Sequence, residues 1–128
     1  MAVPALSLGA SFVRAGISTP VYRQFIFHCD VGWMKKLPPL GGIVIGRHIC
    51  FAMPADEIPH WLFRHELEHV YQQIREGRLR FYLKYFYFSL RYGYRNNPYE
   101  VQAYDRQHTP LQHSEEQALW KLREDSQK

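Results

Sequence analysis

His65-Glu66-Leu67-Glu68-His69 sets two histidines four residues apart in a segment whose apolar positions recur at helical spacing. On a helix, residues i and i+4 lie on one face a turn apart, so both imidazoles can reach a single metal ion. Glu66 is turned roughly 100° from His65. It points to the side, where a carboxylate can hold a metal-bound water without ligating the metal. Two imidazoles and one carboxylate, with the fourth tetrahedral position open, suit zinc. Zinc lowers the pKa of its water to about 7, and Glu66 would take the proton as that water attacks a carbonyl. The plainer alternative is a helix that carries two His and two Glu on a wet face. Glu68, about 60° round the helix from His65, has a plain role as the i,i+4 partner of Arg64, worth a few tenths of a kcal/mol.

Two histidines need a third ligand. The metzincin pattern requires Gly three residues and His six residues after the second histidine. Those positions hold Gln72 and Arg75, which excludes it. His28, His48, His60, His108 and His113 are the other histidines. His60 stands five residues before His65 and points off the face, whereas His108 sits in a helix-ending segment and stays open as a ligand. Glu100 is the better candidate. It falls in the first turn of its own helix, and small Ala103 one turn on lets that helix approach the first. A carboxylate beside an H-E-x-x-H helix completes a two-His, one-Glu zinc site. The competing role for Glu100 is complementing the positive N-terminal end of its helix.

With these residues the chain resembles the gluzincin metallopeptidases, particularly the single-domain minigluzincins and related bacterial zincin-like domains. The resemblance rests on His65, Glu66, His69 and Glu100. Gly46-Arg47-His48-Ile49, Gln72-Gln73 and the Asn97-Pro98-x-Glu100-x-x-Ala103 stretch support it, and it covers about residues 40–107. It implies a small α+β zincin-like domain, with a short antiparallel sheet packed on the active-site helix and further helices. It also implies that an edge strand, residues 43–53, aligns substrate peptide by β-addition. Many gluzincins carry an acidic residue four positions after the glutamate ligand, where it orients the first histidine. Here that position is Tyr104, with Asp105 next. The family further implies an oxyanion-stabilising Tyr or His, for which Tyr92, Tyr94, Tyr104 and His108 are candidates.

Several elements must position this chemistry. Residues 1–20 are rich in Gly, Ser and Ala and read as a loosely ordered arm, leaving 21–128 as one domain. Val21 to Cys29 alternates and reads as a strand, Asp30 to Gly42 as a loop, and Ile43 to Met53 as a second strand. A helix opens at Asp56-Glu57-Ile58-Pro59, runs through the motif as a central element and stops at Gly77. Arg78 to Tyr92 has apolar residues at helical spacing with Arg80, Lys84 and Arg91 interleaved. It has two readings, a membrane-surface amphipath or a core helix wedged between two others with its cations facing water. The second is favoured. Pro98 starts a further helix, Tyr99 to Gln107, and Ser114-Glu115-Glu116-Gln117 opens the last with a capping-box pattern.

Composition narrows the rest. Hydrophobic content of 46% excludes a disordered chain, and 16% aromatic content predicts a core of ring against ring. A net charge of +4 is modest for a nucleic-acid binder, and no nucleic-acid motif is present. Cys29 and Cys50 read as two buried free thiols rather than a disulfide, since buried Cys behaves as a small hydrophobe. The N-terminus lacks a basic n-region and no stretch has the ~18 apolar residues of a membrane span, so a cytoplasmic location is the default. The expected function is zinc-dependent peptide hydrolysis by a metalloendopeptidase, with Zn2+ on His65, His69 and Glu100 and Glu66 as general base. The open surface of so short a chain suits an extended peptide or protein substrate. The alternative is a catalytically weak zincin-fold adaptor that docks a partner strand.

Overall fold

A computed structural model describes residues 25–36 and 41–127. The expected arm at 1–20 and the start of the first expected strand lie outside the described residues. Three short strands, β1 (Ile26–His28), β2 (Gly42–Ile45) and β3 (His48–Phe51), are followed by four helices. These are α1 (His60–Glu76), α2 (Arg78–Tyr92), α3 (Pro98–Arg106) and α4 (His113–Asp125). The fold class is α+β, as the resemblance implied, and no helix among the described residues is long and apolar enough to cross a membrane.

The run expected as one strand, Ile43 to Met53, is a hairpin. It breaks at Gly46-Arg47, where Gly46 takes φ +59°, a left-handed conformation that glycine reaches without a Cβ penalty. Sheet order is β1-β3-β2, with β2 antiparallel and β1 parallel to β3. The expected antiparallel sheet is therefore mixed. β1 pairs with the second arm of the hairpin and runs in that arm's direction. The connection expected as plain loop contains a 3-10 turn, Gly32–Lys36, that buries Met34. Cys29 and Cys50 are free thiols, and burial, with Asp30 and Cys50 nearby, pushes Cys29 up to about 11.

α1 is the central element, with every residue from Leu62 to Gln73 buried. Phe63 stacks with Phe27 and Phe51 of the sheet at ring separations of 6.0 Å. The helix opens later than expected. Ala55–Glu57 is a separate 3-10 turn, and Ile58, held extended ahead of Pro59, divides the two. Gly77, at φ +88°, closes α1 and donates its N–H to the Gln73 carbonyl, as a terminal glycine should.

On the far side, buried Arg64 donates to Glu115 Oε2 at 2.7 Å and to Thr109 Oγ1 at 3.1 Å, and Tyr71 donates to the same carboxylate. Glu115 also accepts from the Gln112 N–H, so the capping box of α4 is Gln112 with Glu115 and not Ser114 with Gln117. That pairing wins because Glu115 serves the cap and the buried arginine together. Glu68 faces Arg64, Arg75 and Arg106, away from the motif histidines' partners.

The expectation for α2 is overturned. Among the described residues it is not wedged between helices, and Phe81 is its sole buried residue. Phe81, Tyr85 and Phe88 pack on the Tyr99 ring of α3 at centroid separations of 4.9–6.2 Å. The opposite face, with Leu79, Leu83, Phe86 and Leu90, lies open. Among the described residues, no helix packs on that open face.

Candidate metal centre and cleft

The one-turn spacing of His65 and His69 does bring both imidazoles to the same face of α1, and α3 carries Glu100 to meet them. His65 Nε2 lies 3.1 Å from Glu100 Oε1, and His69 Nε2 lies 3.1 Å from Glu100 Oε2. All three side chains are buried, and their ligand atoms fall within 4.8 Å of one another. Ala103 is fully buried where α3 crosses α1, so its small side chain is what allows the approach.

The far ring nitrogens are tied down by amides. His65 Nδ1 donates to Gln107 Oε1, and His69 Nδ1 to Gln72 Oε1, both at 2.9 Å. With Nδ1 donating to an amide oxygen, Nε2 is the nitrogen turned to Glu100, and it would present its lone pair to a cation bound there in place of its proton, as outer partners arrange in metal-binding histidines. Gln72 in turn donates to the Tyr99 carbonyl and to Gln102, which joins the histidine helix to α3. Tyr85 of α2 donates to Glu100 Oε2. Asn97 caps α3 through Tyr99 N and donates to the Tyr85 carbonyl and to Ser89, which fixes the start of α3 against α2. Glu100 is thus set by three elements at once.

The donor set fits zinc on its own chemistry. Bonds of about 2.0–2.2 Å at tetrahedral angles put neighbouring ligand atoms about 3.3–3.6 Å apart, a little beyond the 3.1 Å spacings here. Burial alone would raise the Glu100 pKa. Hydrogen bonds from His65 and His69, the charge of His69 and the Tyr85 hydroxyl outweigh it and hold the carboxyl well below its usual range. Burial lowers His69, but its hydrogen bond to Glu100 and the charges of Glu66 and Glu100 prevail and raise it to about 9. The pocket therefore favours a positive charge at its centre.

Glu66 lies along the wall of the cleft that the triad borders. Burial holds its carboxyl above the usual range, partly offset by His69 and His65, with Glu100 adding to the rise. A Cβ placed on Gly42 would sit 2.9 Å from Glu66 Cγ and 3.0 Å from its Cδ and Oε2. Any side chain there must push the carboxylate aside. If Glu66 serves as a general base beside a metal on His65, His69 and Glu100, Gly42→Ala should lower kcat/KM for hydrolysis by about tenfold or more and leave metal uptake, measured by elemental analysis, at the parental level. An alanine variant of unchanged activity would mean that Glu66 has no fixed post against β2.

Two cavities meet at these residues. One, of about 490 Å³, runs between β2 and α2 past Ile43, Ile45, Phe81 and Phe86 to His69 and Glu100. The other, of about 400 Å³, continues past Gly41, Trp61, Arg95 and Tyr104. Gly42, His65, Glu66 and Tyr94 border both. Tyr94 is thereby singled out from the tyrosine candidates, and burial, with Glu100 and Tyr104 nearby, raises its hydroxyl pKa. Tyr104 packs edge-on against the His65 ring at 4.8 Å and borders the second cavity alone. Tyr92 borders neither. His60 and His108 line a separate recess with Leu111 and Glu116, so His108 is not brought to the centre.

Tyr85 and Gln107 are the site residues that sequence reasoning missed. The spacing of Phe81, Tyr85 and Phe88 could have marked an inward face of α2, but nothing local points Gln107 at a histidine 42 residues earlier. Gln72, three residues after His69, stood within helical reach of it. No family model, curated protein or solved structure matches this chain.

Proposed function

We propose that the protein is a zinc-dependent peptide hydrolase of gluzincin type. The observation that carries this reading is the convergence of His65 Nε2, His69 Nε2 and both Glu100 oxygens beside Glu66 in a cleft walled by a sheet edge. His65, His69 and Glu100 would hold the zinc, which would supply a Lewis acid and lower the pKa of its water toward neutrality. Glu66 accepts the proton of the attacking water on its carboxylate and passes it to the departing amide nitrogen. Burial raises the Glu66 carboxyl above its usual range, which makes it a stronger base for the water proton than an exposed glutamate. Tyr94, kept protonated by its raised pKa, donates to the oxygen on which charge develops.

The edge available to a peptide is shorter than residues 43–53. Only β2 borders the cleft, with β3 central in the sheet. The Ala52 N–H to Gly41 carbonyl bond sets the ladder's phase, so Gly42 and Val44 direct their backbone groups outward. Tyr82 already donates to the Val44 carbonyl at 3.1 Å and accepts from the Gly46 N–H at 2.8 Å. A substrate strand therefore pairs chiefly at Gly42, directly beside Glu66, and its neighbouring side chain meets the apolar wall of Ile43, Phe81 and Phe86.

Hydrolysis of unfolded proteins and peptide libraries tests the proposal. Cleavage should stop on chelation and return with zinc. A protein that takes up zinc yet cleaves none of them would leave the fold as a strand-docking adaptor.

A further inference from the structure

We propose that α2 docks this protein onto an anionic phospholipid surface. The helix turns five large apolar side chains to solvent, Leu79 (75% exposed), Leu83 (63%), Phe86 (66%), Tyr87 (56%) and Leu90 (73%). Their spacing puts them on one side of the helix, opposite the Phe81, Tyr85 and Phe88 face that packs on Tyr99. Apolar patches of this kind on a monomer mark a surface that something covers.

Charge says what covers it. Arg78–Tyr92 contains Arg78, Arg80, Lys84 and Arg91 and no carboxylate. Arg80 and Arg91 fall roughly 80–100° round the helix from the middle of the stripe, so they form a basic rim along one side. Lys84 is engaged by Glu76 at 2.8 Å, and Arg91 lies over the Tyr92 ring. A second copy laid antiparallel on this face would set the rim against its own like, and in either orientation α2 offers no acidic residue to meet it. An apolar stripe with a cationic margin matches a bilayer interface, where the stripe enters the acyl boundary and the guanidinium groups meet lipid phosphates.

Phe86 belongs both to this stripe and to the wall of the larger cavity, as does half-exposed Ile45 of β2 to that wall. Docking through α2 therefore opens the cleft along the membrane surface. That consequence for substrate rests on the peptidase reading; the docking itself does not.

Vesicle sedimentation with the zinc-loaded full chain tests the docking without reference to hydrolysis. The protein should pellet with vesicles of equimolar phosphatidylcholine and phosphatidylserine at low salt, and about tenfold less or weaker with phosphatidylcholine alone or at high salt. The double variant Leu83→Glu with Leu90→Glu should lose at least about tenfold in binding. Arg80→Glu with Arg91→Glu should lose as much while leaving the stripe intact. All four positions point to solvent, so zinc content and melting temperature should hold and confirm folded protein. Three results would overturn the proposal: no pelleting with anionic vesicles, folded variants that pellet like the parent, or a dimer at sedimentation equilibrium that Leu83→Glu dissociates. The last would assign the stripe to a second copy.

Discussion

Glu66→Gln should keep its zinc and its melting temperature and lose peptide hydrolysis by roughly 10²-fold or more, the usual scale for removing a general base. The substitution preserves the side chain's size and its place against Gly42, where a clash of even one methyl group is already tight. What it removes is the capacity to accept a proton. It also relieves a buried carboxyl whose charge the surroundings disfavour, so no loss of stability is expected. Elemental analysis, thermal denaturation and a peptide-cleavage assay on the same preparation separate the three properties. A glutamine variant as active as the parent would place the activity elsewhere or in a contaminant, and the peptidase reading would fall with it.

The second large effect concerns metal. Glu100→Ala should weaken zinc binding by more than the ~10–100-fold that follows loss of an outer partner, because a ligand lost from a formed site costs affinity first. Tyr85→Phe, which removes only the hydroxyl that holds Glu100 Oε2, should stay within that range. His65→Ala and His69→Ala should each abolish stoichiometric zinc. The contrast between Glu100→Ala and Tyr85→Phe is the informative part, since both disturb the same hydrogen-bonded cluster and only one removes a ligand atom. Competition against a chromogenic chelator measures both affinities. Equal zinc affinity in Glu100→Ala and the parent would reduce Glu100 to a charge at a helix start and leave the two histidines without their third partner.

The one-turn separation of His65 and His69, the flanking position of Glu66 and the stop at Gly77 were legible in the sequence because they depend on neighbours within a turn. Helical periodicity is built into the backbone and holds wherever the helix is placed. Glu100 was legible for a related reason, in that a cap, a proline and a small residue at fixed offsets mark both the helix and its close-packing face. The hairpin was hidden because a two-residue turn at Gly46-Arg47 leaves the alternation on either side unbroken. The direction of β1 beside β3 is a fact about pairing between segments and not about any one of them. Gln107 and Tyr85 reach the centre from positions 42 and 15 residues away from their partners. Such reach exists only once α2 and α3 are docked. The same is true of α2, whose sequence is apolar on two faces; periodicity finds both, and packing on Tyr99 of α3 decides which of them is covered among the described residues. Spacing along the chain therefore determined the chemistry on offer in α1, while the docking of α2, α3 and the hairpin decided which groups hold it, what borders the cleft and which apolar face remains open, because those are contacts between segments that no local periodicity encodes.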